Sequence, residues 1–431
     1  MKNSLSFGLV LVALLLAGCA GLPGNPFAAA ATATPTSAPS PPTSTAVATP
    51  PASPTPPGPT TLVVWVPPEF DPATDTPAGD LFNARLAEFT ARRPDVQVEV
   101  RAKAVDGAGG LLESLAAAAA AAQGALPDLV ALPYPVFQAA GQAGLLRPLN
   151  GLTHALDEPD WYDYAREMAH LQNSALGLPF AGDALLQVYR PQVVAQPLQG
   201  WQLEGEVGKI FSFAAGDPQA LFPLALYQAN GGEIIDEQGK PTLIAQPLEE
   251  LLAFFAQAEG SGVMTEALTE FQVQDQADGA FVAGQADMLA TWASHYLRQK
   301  PPDAGLALLP APNQKPFTLM KGWVWALPGL DDSRRELAAE LAEFLTESSY
   351  LAEWSEAAGY LPARPSALAA WSDSDARVIL ETVSKSGRLI PANDLLSVLG
   401  PALQNATMQI LKRASDPASA ALEAVQSLEQ K

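Results

Sequence analysis

The chain has 431 residues, a length that suggests two or three domains or two lobes of one larger fold, and with 48% of them hydrophobic and 16% charged it has ample apolar matter for a core. Lys and Arg number 24 against 46 Asp and Glu, a net charge of −22, which argues against a nucleic-acid groove or an anionic membrane surface as partner, since both require clustered cations. One cysteine and three histidines exclude a disulfide framework, structural zinc and iron–sulfur clusters by counting.

The N-terminus carries Lys2, then an apolar run from Phe7 to Ala17 that is shorter than the roughly 20 residues a membrane span needs but has the form of a secretory h-region. It ends in Leu16-Ala17-Gly18-Cys19. This tetrapeptide resembles the lipobox of bacterial lipoproteins, which implies that residues 1–18 are a signal peptide and that Cys19 becomes a lipid-bearing N-terminus. A plain secretory peptide with an incidental cysteine is the alternative. Residues 19–60 read as a tether: from Ala28 to Thr60 there are only Ala, Thr, Pro, Ser and a few other uncharged residues. At about 3.1 Å per residue in polyproline conformation, some forty residues reach roughly 100 Å.

Thr61 to Val66 is an apolar, β-branched run stopped by Pro67-Pro68, a buried strand in which Trp65 is expected in the core. Asp80 is placed to cap a helix with Phe82, Leu86 and Phe89 on one face, ended by Pro94. A strand at Val96 to Val100, an alanine-rich helix from Gly110 to Gln123 and a third strand at Asp128 to Leu132 follow. Strands alternating with helices predict an α/β fold with a mostly parallel sheet covered on both faces, and ligands beyond the carboxyl ends of its strands.

Several motifs then occur in order. Leu126-Pro127-Asp128-Leu129-Val130-Ala131-Leu132 precedes Ala143-Gly144-Leu145-Leu146-Arg147-Pro148-Leu149; next come Gly177-Leu178-Pro179-Phe180-Ala181 with Val188-Tyr189, and Asn230 to Pro241. Phe281 to Met288, Lys321-Gly322-Trp323 and Gly359-Tyr360-Leu361-Pro362-Ala363-Arg364 complete the set. Together they resemble the family 1 extracellular solute-binding proteins of bacterial ABC importers, the group that includes maltose-binding protein. The resemblance implies a type II periplasmic-binding-protein fold, with lobe 1 at 61–181 plus 288–327 and lobe 2 at 182–287 plus 328–431. It further implies a monomer that closes about a hinge on a small solute, chiefly a sugar or oligosaccharide, and delivers it to ABC permease subunits at the outer face of the cell membrane. No cofactor, metal or catalytic residue is expected. Two departures stand out: Pro197 to Leu203, with Glu204 to Gly208, shortens the region of the second lobe's first helix, and Tyr189-Arg190-Pro191 replaces the usual Tyr-Asn-Lys.

A sugar presents apolar faces ringed by hydroxyls, so its receptor needs aromatic plates and Asp, Asn, Glu or Arg partners. Trp292 and Trp323 match positions where relatives bring residues to the cleft, Trp323 in what reads as a loop, and Tyr134 follows the third strand at its carboxyl edge. Glu69 follows the first strand, Asp183 the hinge motif, Asn230 precedes Gly231-Gly232, and Arg364 closes the last motif. Each has an ordinary alternative in core packing, a cap, a turn or an ion pair. Trp325, two residues past Trp323, is expected on the opposite face, in the core. The acidic balance argues against phosphorylated ligands, because a phosphate site needs a local cluster of Arg or Lys that the sequence does not locate.

A surface glycoside hydrolase and a carbohydrate-binding adhesin without transport are the competing functions. Asp157-Glu158, Asp160 and Asp163 around Trp161, Tyr162 and Tyr164 form the most tempting acidic cluster, but sequence neighbours at a helix entrance do not face one another across a cleft. His154, His170 and His295 form no His-Glu-x-x-His pattern, and no Gly-x-Ser-x-Gly elbow or phosphate loop is present.

Overall fold

The computed structural model describes residues 58–121, 123–203 and 208–429. The expected signal peptide, Cys19, most of the tether and part of the Glu204 to Gly208 stretch lie outside them.

Three strands open the fold: β1 (Thr60–Val66), β2 (Val96–Ala102) and β3 (Leu129–Pro133), with β1 pairing parallel to both others. The crossovers are helices α1 (Pro77–Arg92) and α2 (Leu111–Ala121). Leu62, Val64 and Val66 are fully buried, as a strand covered by helices requires. Thr76 rather than Asp80 caps α1: its hydroxyl accepts from Gly79 N at 3.1 Å and Pro77 supplies the preset first helical φ, leaving Asp80 in the first turn where its charge meets the helix dipole. Asp128 also stands outside its expected strand. Its buried carboxylate accepts from Val63 N at 2.7 Å and pairs with Arg334.

From β3 the chain turns directly into α3 (Tyr134–Gln142), then α4 (Asp163–Met168) and a small hairpin of β4 (His170–Leu171) and β5 (Ser174–Ala175). The 13-residue β6 (Gly177–Tyr189), buried along all but its last residue, follows. After it come β7 (Phe211–Ser212), α5 (Leu221–Ala229), α6 (Ala245–Gly260), α7 (Gln274–Val282), β8 (Met288–Trp292), α8 (Ala293–Gln299), β9 (Gly305–Ala307) and β10 (Thr318–Ala326). The C-terminal part holds α9 (Asp332–Phe344), α10 (Ser348–Ala358), β11 (Leu361–Pro362), α11 (Pro365–Ala369), α12 (Ser374–Ser386), β12 (Gly387–Leu389), α13 (Asn393–Leu411) and α14 (Pro417–Glu429).

The main sheet runs β2-β1-β3-β10-β6-β8-β7. Its organising element is β6. Gly177 to Ala184 pair antiparallel with β10, and Leu185 to Tyr189 pair with β8 and, over the last three residues, with β9, so one strand belongs to both halves of the molecule. Asp183 and Ala184 sit at the handover. Because Lys321, Gly322 and Trp323 face Asp183, Gly182 and Ala181, they are strand residues of β10 rather than the expected loop. Register slips between Trp323 and Val324, leaving Phe180 as an extra residue on β6. Trp323 and Trp325 fall on one face, as residues two apart on a strand must, which corrects the expectation of opposite faces. Phe70 meets Trp323 at 4.8 Å between centroids, Phe180 stacks on Trp325 at 4.7 Å, and Phe70 and Phe180 meet at 5.6 Å.

Two placements cut across the lobe division that the resemblance implied. β8 pairs with the second half of β6 and with β7, while α9 and α10 pack on β1 and α1, where Arg85 donates to the Phe344 carbonyl at 2.6 and 3.1 Å. Among the described residues no helix forms between Tyr189 and Leu221, in keeping with the altered region after Pro197; Trp201 instead stacks on Phe254 of α6 at 5.4 Å.

The close approach of β6 and β10 requires Gly322. A Cβ there would fall on the Ala181 carbonyl oxygen and against the Met168 side chain, so neighbouring backbone must shift. Gly322→Ala is expected to lower stability by about 1–3 kcal/mol, read in denaturant melts, and a value near zero would show that the two strands can part freely.

Candidate functional site

The carboxyl ends of the three parallel strands open onto one cleft of about 500 Å³. Glu69 lies beyond β1, Val105 and Asp106 beyond β2, and Pro133 with Pro135 and Val136 at the end of β3. This is the position that open α/β sheets reserve for ligands. The floor is formed by Asp183 of β6 and Lys321, Gly322 and Trp323 of β10, and the opposite wall by Ser294, His295 and Arg298 of α8, with Gln219, Tyr360 and Asn393.

Polar groups in the cleft form two clusters of three residues. Glu69 Oε2 accepts from Tyr360 Oη at 3.0 Å and from Arg298 Nη2 at 3.4 Å, and the Arg298 guanidinium lies 4.5 Å from the centroid of the Tyr360 ring. Burial raises the Tyr360 pKa, with the Glu69 charge adding to it, so the phenol stays a hydrogen-bond donor. Asp183, only 2% exposed, accepts from Ser294 N at 2.9 Å through one oxygen and from Ser294 Oγ at 2.8 Å through the other. Lys321 Nζ stands 3.7 Å from Asp183 and 3.8 Å from the centroid of the Trp292 ring. Burial lowers the Lys321 pKa, and the Asp183 charge opposes that shift.

The structure brings together three of the sequence-derived candidates, Glu69, Asp183 and Trp323, at this cleft. Trp292 is 5% exposed and its face carries the Lys321 ammonium, so it reaches the cleft through that lysine. Tyr134 opens instead onto a separate cavity of about 560 Å³ with Gln138, Glu167, Ile234 and Ile235, to which Ala392 and Asp394 contribute while Asn393 between them lines the cleft. Burial raises the Tyr134 pKa to about 12, with Glu167 contributing. Asn230 and Arg364 lie apart from the cleft lining. Asn230 ends α5 and donates to Pro247 O at 3.2 Å and Glu250 at 2.8 Å, and Gly231 after it takes φ of +82°, the tight-turn alternative. Arg364 is 5% exposed, donates to Thr346 O at 2.7 Å, pairs with Glu158 and lies 4.0 Å from the Trp161 centroid. Glu158 and Asp160, from the tempting acidic cluster, thus anchor the Arg364 and Ser366 segment.

Sequence reasoning missed Lys321 and Arg298, the two cations of the cleft, although Lys321 stood inside a motif that drew attention to its tryptophan. Their presence corrects the expectation that the site lacks local Lys or Arg. Beside the cleft, Asp275, Asp278 and His295 each bring a potential ligand atom within 4.8 Å of the others. Asp278 is already bonded to His295 Nδ1 through one oxygen and to Gln274 Nε2 at 2.8 Å through the other, a contact that ties α7 to α8.

Comparison with known proteins gives a consistent picture. A family model described as bacterial extracellular solute-binding protein matches residues 84–378. The cyclic alpha-maltosyl-1,6-maltose binding protein from Arthrobacter globiformis is similar in structure, with TM-score 0.70 and 19% identity over 86% of this chain and 99% of that one. So is the sugar-binding protein MalE of Xanthomonas citri, with TM-score 0.70 and 16% identity over 86% and 97% of the two chains. A cyclo/maltodextrin-binding protein complexed with maltotetraose matches at TM-score 0.69 and 20% identity over 86% and 97%. At such identities these likenesses establish the type of fold. No curated protein sequence matches.

Proposed function

The chain belongs to the bacterial extracellular solute-binding protein family, and from that premise we propose that it captures a neutral sugar or oligosaccharide outside the cell and passes it to an ABC permease. The observation that carries this reading is the cleft itself. Beyond the carboxyl ends of three parallel strands, Glu69, Arg298, Lys321, Trp323 and Tyr360 converge as acceptor, donors and aromatic side chains, the residue types a polyhydroxylated ring requires. The solved relatives whose titles name maltodextrins or maltose derivatives support the same class.

Binding works by closure. β6 is shared by both halves of the sheet, and its handover at Asp183 lies in the cleft floor, so a solute touching both walls stabilises the closed arrangement by its differential affinity. Hydrolysis is disfavoured by the same groups: Asp183, in the cleft floor, is 2% exposed and has both oxygens engaged by Ser294, which leaves it poorly placed to serve as one of the two carboxylates a glycosidase sets across its substrate. In this reading Cys19 bears lipid, which anchors the binding unit to the membrane that holds the permease.

A thermal-shift screen of the full chain against mono-, di- and tetrasaccharides, polyols, polyamines and amino acids tests the proposal. A neutral sugar at one hundred times its Kd adds about 2.7 kcal/mol of stability by mass action and raises Tm, with the sugar recovered unchanged. A shift with amino acids or polyamines alone would replace the sugar reading, and a consumed sugar would restore the hydrolase.

A further inference from the structure

We propose that Lys321 reads the solute: its ammonium donates hydrogen bonds to oxygens of a neutral, polyhydroxylated ligand, and Trp292 serves as the platform for that ammonium instead of for the ligand. The assignment rests on the solute-binding reading above and names the group that makes the discriminating contact.

Position supplies the first argument. Lys321 lies on β10 opposite Asp183, at the point where β6 passes from β10 to β8, and it lines the cleft beside Trp323. Its side chain remains 36% exposed while Asp183 beneath it is sealed, so the ammonium is the part of the pair that a solute can touch.

The second argument is hydrogen-bond capacity. A lysine ammonium has three donors. The 3.7 Å separation from Asp183 exceeds a hydrogen bond, both Asp183 oxygens already serve Ser294, and the Trp292 face at 3.8 Å attracts the charge without accepting a conventional hydrogen bond. Among the described residues no acceptor lies within hydrogen-bond distance of Lys321 Nζ. The lysine is therefore held in place by charge and ring while its donors stay uncommitted, the arrangement of a preorganised contact.

Charge balance then selects the ligand class. Asp183 offsets Lys321, and Glu69 offsets Arg298 at 3.4 Å, so the cleft offers no surplus positive charge to a carboxylate or phosphate and presents such a group with Glu69. A hydroxyl suits both partners, since it can accept from Lys321 and donate to Glu69.

Calorimetric titration of the full chain with glucose, maltose, maltotetraose and maltitol, and with maltobionate as an anionic counterpart, tests the assignment. Lys321→Met should weaken the best neutral ligand roughly 10- to 100-fold, and Lys321→Gln, which keeps an amide donor, by less. An analogue lacking the contacted hydroxyl should bind wild type more weakly yet bind Lys321→Met no worse than the parent sugar does, because the two changes remove one contact. If Lys321→Met does not fold, the Gln variant and the deoxy series decide. Wild type that binds a sugar while both variants bind it equally well, or losses that add for every hydroxyl removed, would overturn the Lys321 assignment and leave the sugar reading standing. Tighter binding of maltobionate than of maltitol would overturn the neutral-ligand choice. Wild type silent toward all neutral sugars and polyols would overturn the sugar reading and this assignment with it.

Discussion

Asp183→Ala is expected to cost about 3–5 kcal/mol of stability and to abolish measurable solute binding, the largest effect of any single change in the cleft. Asp183 is 2% exposed and serves three partners at once: the amide of Ser294 at the start of α8, the hydroxyl of the same residue, and the Lys321 ammonium. Alanine would strand a buried N–H, a buried hydroxyl and a partly buried positive charge, and an unsatisfied buried partner costs far more than the net worth of the bond that is lost. The position also matters, because Asp183 lies where β6 leaves β10 for β8, so it fastens α8 to the floor between the two halves of the sheet. Asp183→Asn retains one acceptor for Ser294 N and should cost roughly half as much. Urea melts of the three proteins give the comparison, with unchanged m-values marking a change in stability alone. A loss below about 1 kcal/mol for the alanine variant would mean that water replaces the carboxylate and that the cluster is not a fastening.

Arg364→Met is expected to produce the converse pattern, a loss of about 2–4 kcal/mol in stability with solute affinity unchanged in the fraction that remains folded. The guanidinium is buried, donates to the Thr346 carbonyl, pairs with Glu158 and covers Trp161, so it joins the turn after α9 to the segment before α4. Methionine fills the volume and drops every polar contact, exposing the Thr346 carbonyl and Glu158 to rearrangement. Melting curves and calorimetric titration on the same preparation separate the two readouts. A stable Arg364→Met protein with a weakened Kd would return Arg364 to the ligand contacts that its sequence motif implied.

These two residues show how far the sequence carries. Both stand in family-like motifs and both are polar, yet one forms the floor of the cleft and the other is internal bracing. The difference depends on Ser294 and Lys321 in one case and on Glu158, Trp161 and Thr346 in the other, partners 111, 138, 206, 203 and 18 positions away along the chain. The same holds for Trp292 and Trp323: the sequence marked both rings, and only the packing put Lys321 over one of them and left the other in the cleft floor. Where local physics decides, the reading was close. The β-branched run ending at Val66, the helix with Phe82, Leu86 and Phe89 on one face, and the strand near Leu129 all form as their periodicity implies, with errors of one to a few residues at element ends, as at the Thr76 cap and at Asp128 before its strand.

The sequence by itself determined the α/β alternation, because side-chain period and helix stops are properties of neighbouring residues. Through its ordered motifs it also pointed to the family, and through Glu69 it marked the carboxyl end of the first strand as a place for a ligand. Tertiary structure alone decided which polar groups share the cleft. The cations Lys321 and Arg298 reach Asp183 and Glu69 across 138 and 229 positions of chain, and no spacing rule spans such distances. Their meeting follows from β6 crossing between β10 and β8, a pairing fixed by where the whole chain can bury its apolar faces rather than by any local preference.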